Sequence, residues 1–476
     1  MKSILLLLTT IIFYFYSHAQ ADSSNYKEAL RMIDIWLDAK KDYDKLPGIS
    51  VAIVDDQNLL FSKGYGYADV EKKIPMQAET ICSICSISKL FTSVAVMQLW
   101  EEGKLRLDDS LAALLPSFNL KQQYSESVPV TIRSLLTHSS GLPREAAFAY
   151  WSAPDFYFPS EKELNEKLIQ QQTLYPSSTY FQYSNLGMSL LGQVVTKTTG
   201  EAYNEYIERK ILQPLQLTST HPYLPQNLWR TKMATGYSAL HRDGSRKMVP
   251  FFQAKGVTAA AGFSSNAVDL ARFASWQFRL LKGNTKEILR SSTLKEMQRV
   301  QWMDPDGKTL WGLGFVVSQL NGVTYVGHGG SCPGYRTLLM LNPKSKKAVS
   351  IMINAQGVRP QVYAGTIFDI LTKVVTDKKD TTTLNVDLNE YAGTYDHSTW
   401  GGDWAILPWK GKLALISLEE DSPLAGMSVY RYMGKDRFRR IRTDDGSLAE
   451  EIYFERDARG KVVKMWNPVN SVNKLK

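Results

Sequence analysis

Cysteine is scarce: Cys82, Cys85 and Cys332 are the only three in 476 residues. Three cannot form a disulfide framework that replaces a hydrophobic core, and their spacing with histidine fits no zinc site. The six histidines are scattered, and phosphate-cradling glycine loops are absent. No metal and no organic cofactor is therefore expected. Blocks of lysine and arginine are missing too; the formal charge of +9 is interleaved with acidic residues. That describes a basic surface, not a nucleic-acid partner. Long apolar runs are lacking except at residues 4–16. Lys2 before that run and Ser17-His18-Ala19 after it read as an export signal, residues 1–19. The run is short for a bilayer and no cysteine follows it for lipidation, so no stable membrane anchor is expected. The mature chain is expected in a periplasm or the medium.

What is present is a globular composition, 44% hydrophobic and 22% charged, long enough for two or three domains. Residues 26–39 carry apolar positions at helical spacing. Residues 49–54 and 59–67 are strand-like around a polar turn, and a mostly helical stretch runs to about 217. Residues 259–354 are rich in glycine and strands, and 362–375 form another helix. That order predicts an α/β (α+β) fold: one antiparallel sheet flanked by terminal helices, with an all-helical region inserted. Residues 20–376 form this first domain and the polar residues 377–387 a linker. Residues 388–476 hold short strand-like runs at 391–395, 404–409, 413–416, 438–441, 452–454 and 462–465. Their rhythm suggests a small antiparallel β-barrel, with Trp400, Trp404 and Trp409 as filling.

The chemistry starts at Cys85-Ser86-Ile87-Ser88-Lys89. An apolar helix follows, which puts Ser86 at its N-terminus and Lys89 one turn on, along the same face. The dipole's positive end favours charge on an attacking serine oxygen. A desolvated lysine beside it gives up its proton more readily and becomes a base. The spacing alone says little. Roughly two copies of Ser-x-x-Lys are expected by chance, and others start at Ser24, Ser292 and Ser471. Only Ser86 opens a strongly apolar helix; the alternative there is a helix cap with a solvated lysine.

Six stretches in order resemble the serine β-lactamase and D-alanyl-D-alanine carboxypeptidase family, closest to its class C-like branch. They are Cys85–Lys89; Leu105-Arg-Leu-Asp-Asp109; Ser134-Leu-Leu-Thr-His-Ser-Ser-Gly-Leu-Pro143; Tyr183-Ser184-Asn185; Ala260-Ala-Gly-Phe-Ser-Ser265; and His328-Gly329-Gly330 between Gly327 and Ser331. The resemblance implies a β-lactamase-like, transpeptidase-like fold over about 46–355. It implies Ser86 as nucleophile, with Lys89 and Tyr183 moving its proton. Asn185 would bind the substrate amide or Lys89. The backbone N–H groups of Ser86 and Ser331 would form an oxyanion hole, and Gly330 would let a substrate backbone approach. His328 stands where many relatives carry a lysine, so a fixed charge for a substrate carboxylate is replaced by a partial one. That shifts weight toward esters, amides and D-amino-acid peptides. His138 reads as structural, Asp108 and Asp109 as turn and cap residues, and no carboxylate stands out as a deacylating base. The end of the chain resembles a lipocalin-like domain appended to some relatives, where it covers the site mouth or mediates oligomers.

The resemblance also implies a Cys85–Cys332 disulfide, because both cysteines adjoin proposed oxyanion donors. Cys82–Cys85 pairing and three free thiols are the alternatives. The expected function is a secreted hydrolase of β-lactamase, D-Ala-D-Ala carboxypeptidase or D-aminopeptidase type, acting on a small-molecule or peptide substrate. A carboxylesterase and a penicillin-binding receptor that stays acylated are the alternatives, and a third is an inactive scaffold whose barrel binds a ligand.

Overall fold

Two stretches far apart in the chain build one sheet. The computed structural model describes residues 26–116, 118–283, 285–382 and 385–475; the expected export signal lies outside them. Gly48–Asp55 (β1) and Asn58–Asp69 (β2) form the expected hairpin, extended by Ile74–Pro75 (β3). The chain returns much later as Trp302–Met303 (β4), Leu310–Trp311 (β5), Val316–Leu320 (β6), Val323–Cys332 (β7), Tyr335–Asn342 (β8) and Lys347–Ile353 (β9). The last strand pairs antiparallel with the first, from Ile49 opposite Ile353 to Asp55 opposite Lys347. The order across the sheet is β3-β2-β1-β9-β8-β7-β6-β5-β4.

Strand alternation separates two cores. Ile49, Val51 and Ile53 face one side, where they meet the helices Lys27–Tyr43 (α1) and Pro360–Thr376. Ala52 and Val54 face the other side. There lies Ser88–Glu101 (α2), every residue of which is buried from Ser88 to Leu99. A helix apolar on all sides belongs inside a protein, and α2 is the centre of the larger core. Around it stand Ile132–Leu136 (α3), Asn185–Thr199 (α4) and Ala267–Lys282 (α5); Pro360–Thr376 is then α6.

The C-terminal part holds eight antiparallel strands, two more than the sequence pattern suggests: Gly393–Tyr395, Trp404–Trp409, Lys412–Ser417, Ser428–Gly434, Arg437–Ile441, Leu448–Arg456, Val462–Trp466 and Ser471–Asn473. Ser428–Gly434 escapes the pattern because Tyr430 is its only buried residue. A bridge between Tyr395 and Lys474 joins first strand to last and nearly closes a barrel. Along Trp404–Trp409, Ile406 fills the barrel, while Ala405, Leu407 and Trp409 point outward onto the core formed with α1 and α6. Polar contacts fasten the same seam: the Trp36 indole donates to Glu420 O at 3.1 Å and the Lys410 amide to Glu28 at 2.8 Å. The barrel thus sits on the sheet's far side from α2. Of the two roles that such a domain has in relatives, a cover over the site mouth does not fit this placement. The three tryptophans divide: Trp409 is buried at the seam, Trp404 is half-buried against His397, and Trp400 is 75% exposed.

Candidate active site

Ser86 lies in a single 3₁₀ turn, Cys85–Ile87, that runs straight into α2. The first N–H groups of such a turn have no acceptor inside the helix. The turn is reached through Cys85, whose φ of 50° places a non-glycine residue in the left-handed region. Several ties hold it there. Ile84 N donates to Phe263 O at 2.9 Å, Ser88 Oγ donates to Cys85 O at 2.5 Å, and Cys85 is disulfide-bonded to Cys332 on β7, Cα to Cα 5.7 Å. Of the alternatives, the Cys82–Cys85 pair is not formed: Cys82 is free and buried, and burial pushes its thiol up to about 12.

Lys89 is fully buried, with its ammonium nitrogen 3.2 Å from Ser86 Oγ. Its other acceptors are Asn185 Oδ1 at 2.7 Å and Ala260 O at 2.8 Å, both uncharged. Burial without a carboxylate in contact lowers its proton affinity well below that of an ordinary lysine. The Glu145 charge opposes that shift and the Arg144 charge adds to it.

Tyr183 completes the group. Its ring lies 4.8 Å from Lys89 Nζ and 4.9 Å from the Arg144 guanidinium. Burial raises the phenol's affinity for its proton, and the neighbouring Ser86 hydroxyl and the Arg144 charge pull it back. His138 stacks on Tyr183 with ring centroids 4.3 Å apart. It ends α3 in a left-handed conformation, φ 56°, with His138 N bonded to Leu135 O and Ser139 N to Ser134 O. Glycine or asparagine usually holds that position. The histidine there turns Nδ1 onto the Ser184 amide at 3.1 Å and so fixes the segment carrying Tyr183 and Asn185. Buried beside Lys89, it is held far below the ordinary histidine range. The structural reading of His138 becomes a specific one: it is a support for Tyr183.

On β7, His328, Gly330 and Cys332 share the face toward Ser86. Gly330 is pressed against the chain before Ser86: an added Cβ would stand 2.3 Å from Ile84 O and 2.0 Å from Thr337 Oγ1. That packing by itself requires the glycine. Cys332 pairs with Tyr335 across the turn Pro333-Gly334, so the next pair, Ser331 with Arg336, is the non-bonded kind. Its N–H points away from β8, and β6 pairs with β7 only as far as Gly327. The Ser331 amide therefore sits on a free strand edge near the Ser86 turn. His328 is 5% exposed, and its Nδ1 lies 2.6 Å from Gly329 O, which places the proton on that nitrogen. Burial and the Lys89 charge push it down to about 3. The partial charge expected of it is absent at neutral pH.

Two functional candidates were not legible in the motifs. Glu145 accepts from Asn185 Nδ2 at 2.6 Å and from the Tyr150 hydroxyl. Arg144 covers Tyr183. Both follow directly on the Ser134–Pro143 stretch, and their signal is a charged pair wedged before the apolar Ala146-Ala-Phe148. Asp108 and Asp109 keep to their expected places, the first paired with Arg133 and the second accepting from the Arg106 amide.

Comparison with known proteins gives one consistent answer. The protein flp of Staphylococcus aureus is 25% identical over 382 residues, 78% of this chain and 71% of that one. The octameric penicillin-binding protein homologue of Pyrococcus abyssi superposes with a TM-score of 0.64 at 26% identity, over 94% of this chain and all of that one. A D-stereospecific amidohydrolase from Streptomyces shares the fold at 22% identity and a TM-score of 0.57, over 72% of this chain and 98% of its own. A sequence model described as Beta-lactamase matches residues 36–371, which span the sheet, α2 and every site residue above: the chain belongs to the beta-lactamase family.

Proposed function

We propose that the protein is a serine hydrolase that opens an amide or ester bond through an acyl-enzyme on Ser86. One observation carries the reading: a fully buried lysine, 3.2 Å from a serine oxygen, whose remaining partners are uncharged acceptors. Neutral Lys89 takes the Ser86 proton as Oγ bonds to the substrate carbonyl carbon. The Ser86 and Ser331 amides receive the developing oxyanion. The proton passes by way of Tyr183 to the leaving nitrogen or oxygen, and water then releases the acyl group by the same groups in reverse.

The substrate class follows from what β7 lacks. With His328 neutral, that strand offers no fixed cation to a substrate carboxylate, which favours esters and D-amino-acid amides over penicillins and D-Ala-D-Ala termini. A D-stereospecific amidohydrolase has the same fold, in keeping with the amide arm. Export through residues 1–19 remains part of the proposal and fits a small-molecule or peptide substrate met outside the cytoplasm.

The test is a panel of nitrocefin, a short-chain p-nitrophenyl ester and D-alanyl p-nitroanilide. Turnover of the ester or the D-anilide, abolished in Ser86→Ala, supports the reading. A single round of penicillin labelling without turnover of any substrate contradicts it and identifies a receptor.

A further inference from the structure

The sequence offers no carboxylate for this chemistry, yet the structure places one a single side chain away from the base. Glu145 receives hydrogen bonds on both carboxylate oxygens, from Asn185 Nδ2 at 2.6 Å and from the Tyr150 hydroxyl. Asn185 is 3% exposed and Tyr150 1%. A carboxylate only accepts, so Asn185 must turn its NH₂ toward Glu145 and its oxygen toward Lys89. Ala260 O, the other fixed partner of Lys89, also only accepts.

We infer that Glu145 is a positioning residue: by fixing which end of the Asn185 amide faces Lys89, it leaves the lone pair of the neutral amine only Ser86 to point at. The count is simple. A neutral amine has two hydrogens and one lone pair. Two permanent acceptors take the two hydrogens, and the third direction, toward Ser86 Oγ at 3.2 Å, receives the lone pair. When the Ser86 proton moves to Lys89, the ammonium finds three acceptors already in place and the network need not reorganise. Were Asn185 reversed, its NH₂ would bond to the lone pair itself and the base would be blocked. The inference rests on the proposed role of Lys89 as base.

Glu145 also adds charge. The groups around Lys89 are Ser86 and Tyr183, Asn185 from α4, Ala260 O, Arg144 and Glu145 from their loop, His138 at the end of α3 and His328 on β7. Of these, the Arg144 and Glu145 charges act on Lys89 in opposite senses.

The test compares Glu145→Gln, which keeps the volume and an acceptor, with Glu145→Leu, which keeps neither acceptor nor charge. The readouts are fluorophosphonate labelling of Ser86, p-nitrophenyl ester kinetics and the thermal midpoint. Glu145→Leu is expected to lower the labelling rate and kcat about ten- to a hundredfold with KM little changed, and Glu145→Gln to lower them less. In both, removal of the negative charge moves the acid limb of the rate profile to lower pH; Arg144→Gln moves it to higher pH. Folded variants that label at the wild-type rate with an unmoved acid limb overturn the inference, whatever their thermal midpoints. Failure of the wild type itself to label overturns the hydrolase reading and this inference together.

Discussion

Two buried lysines, one on each side of the sheet, show what sets the proton affinity of such a residue. Lys40 of α1, 4% exposed, lies at the seam with the barrel and meets Asp44 at 2.9 Å and Asp421 at 3.2 Å. Lys89, 0% exposed, meets only uncharged acceptors. Burial acts on both and lowers proton affinity in both. At Lys40 the two carboxylates outweigh it and raise the net affinity; at Lys89 nothing in contact does. Depth alone therefore does not make a base. The partners decide, and Glu145, held one amide away from Lys89, helps without neutralising it.

Exchange of the two sites sharpens the contrast most. Ser86→Ala is expected to abolish labelling and turnover, and Lys89→Met to cost at least about two orders of magnitude in kcat, with a small change in the thermal midpoint because relief of a buried amine is offset by the donor that Asn185 Oδ1 and Ala260 O lose. Lys40→Met should do the reverse. It frees two partly exposed carboxylates and lowers stability by about 1 kcal/mol while activity stays at the wild-type level. Equal effects of the two substitutions in both assays would break the comparison.

Tyr183→Phe is expected to lose about a hundredfold in kcat, measured on the same ester. His138→Gly relieves the left-handed backbone but removes the support of Ser184 N. It should lower kcat by less than Tyr183→Phe does, and lower the thermal midpoint through the cavity it leaves among Phe181, Tyr183 and Trp311.

Reduction of Cys85–Cys332 opens a link that closes a chain separation of 247 residues and that contributes up to about 5 kcal/mol in the chain-entropy account. Activity should fall before the far-ultraviolet signal does, because the link ties the Ser86 turn to Ser331. Simultaneous loss of both would show that the bond serves stability alone.

A further effect, confined to acid, leaves activity at neutral pH untouched by the charge of His328. His328 takes a proton at pH 6.5 when unfolded and at about 3 when folded. As pH falls below 6.5 the unfolded state binds protons that the folded state refuses, so stability drains away between 6.5 and 3. His328→Gln should reduce that loss, read as a higher thermal midpoint than wild type at pH 4.5 and little difference at pH 8.

The same contrast shows what the sequence made legible. The apolar run behind Ser86 is local, so the helix could be read directly; the spacing to Lys89 left a solvated lysine open, and only the six stretches in order favoured a buried one. The sheet's two halves were readable as strands and the order of the elements joined them in one sheet, but the pairing of β1 with β9 is a contact across some three hundred residues that no local pattern shows. Glu145 was not readable because its partner, Asn185, is forty residues away and meets it only when the loop folds over the start of α4. The packing that requires glycine at 330 was not readable because the neighbour concerned, Ile84, lies 246 positions earlier. The barrel strand Ser428–Gly434 was missed because a single buried residue leaves no alternation to see.

The central claim is that Lys89 is a neutral base at working pH, and the pH dependence of fluorophosphonate labelling at Ser86 tests it most directly. The account predicts a labelling rate whose acid limb lies well below the 10.5 of an ordinary lysine, with the plateau reached before that value. A rate that keeps rising up to that value would mean that Lys89 holds its proton like a solvated lysine, and the account would be wrong.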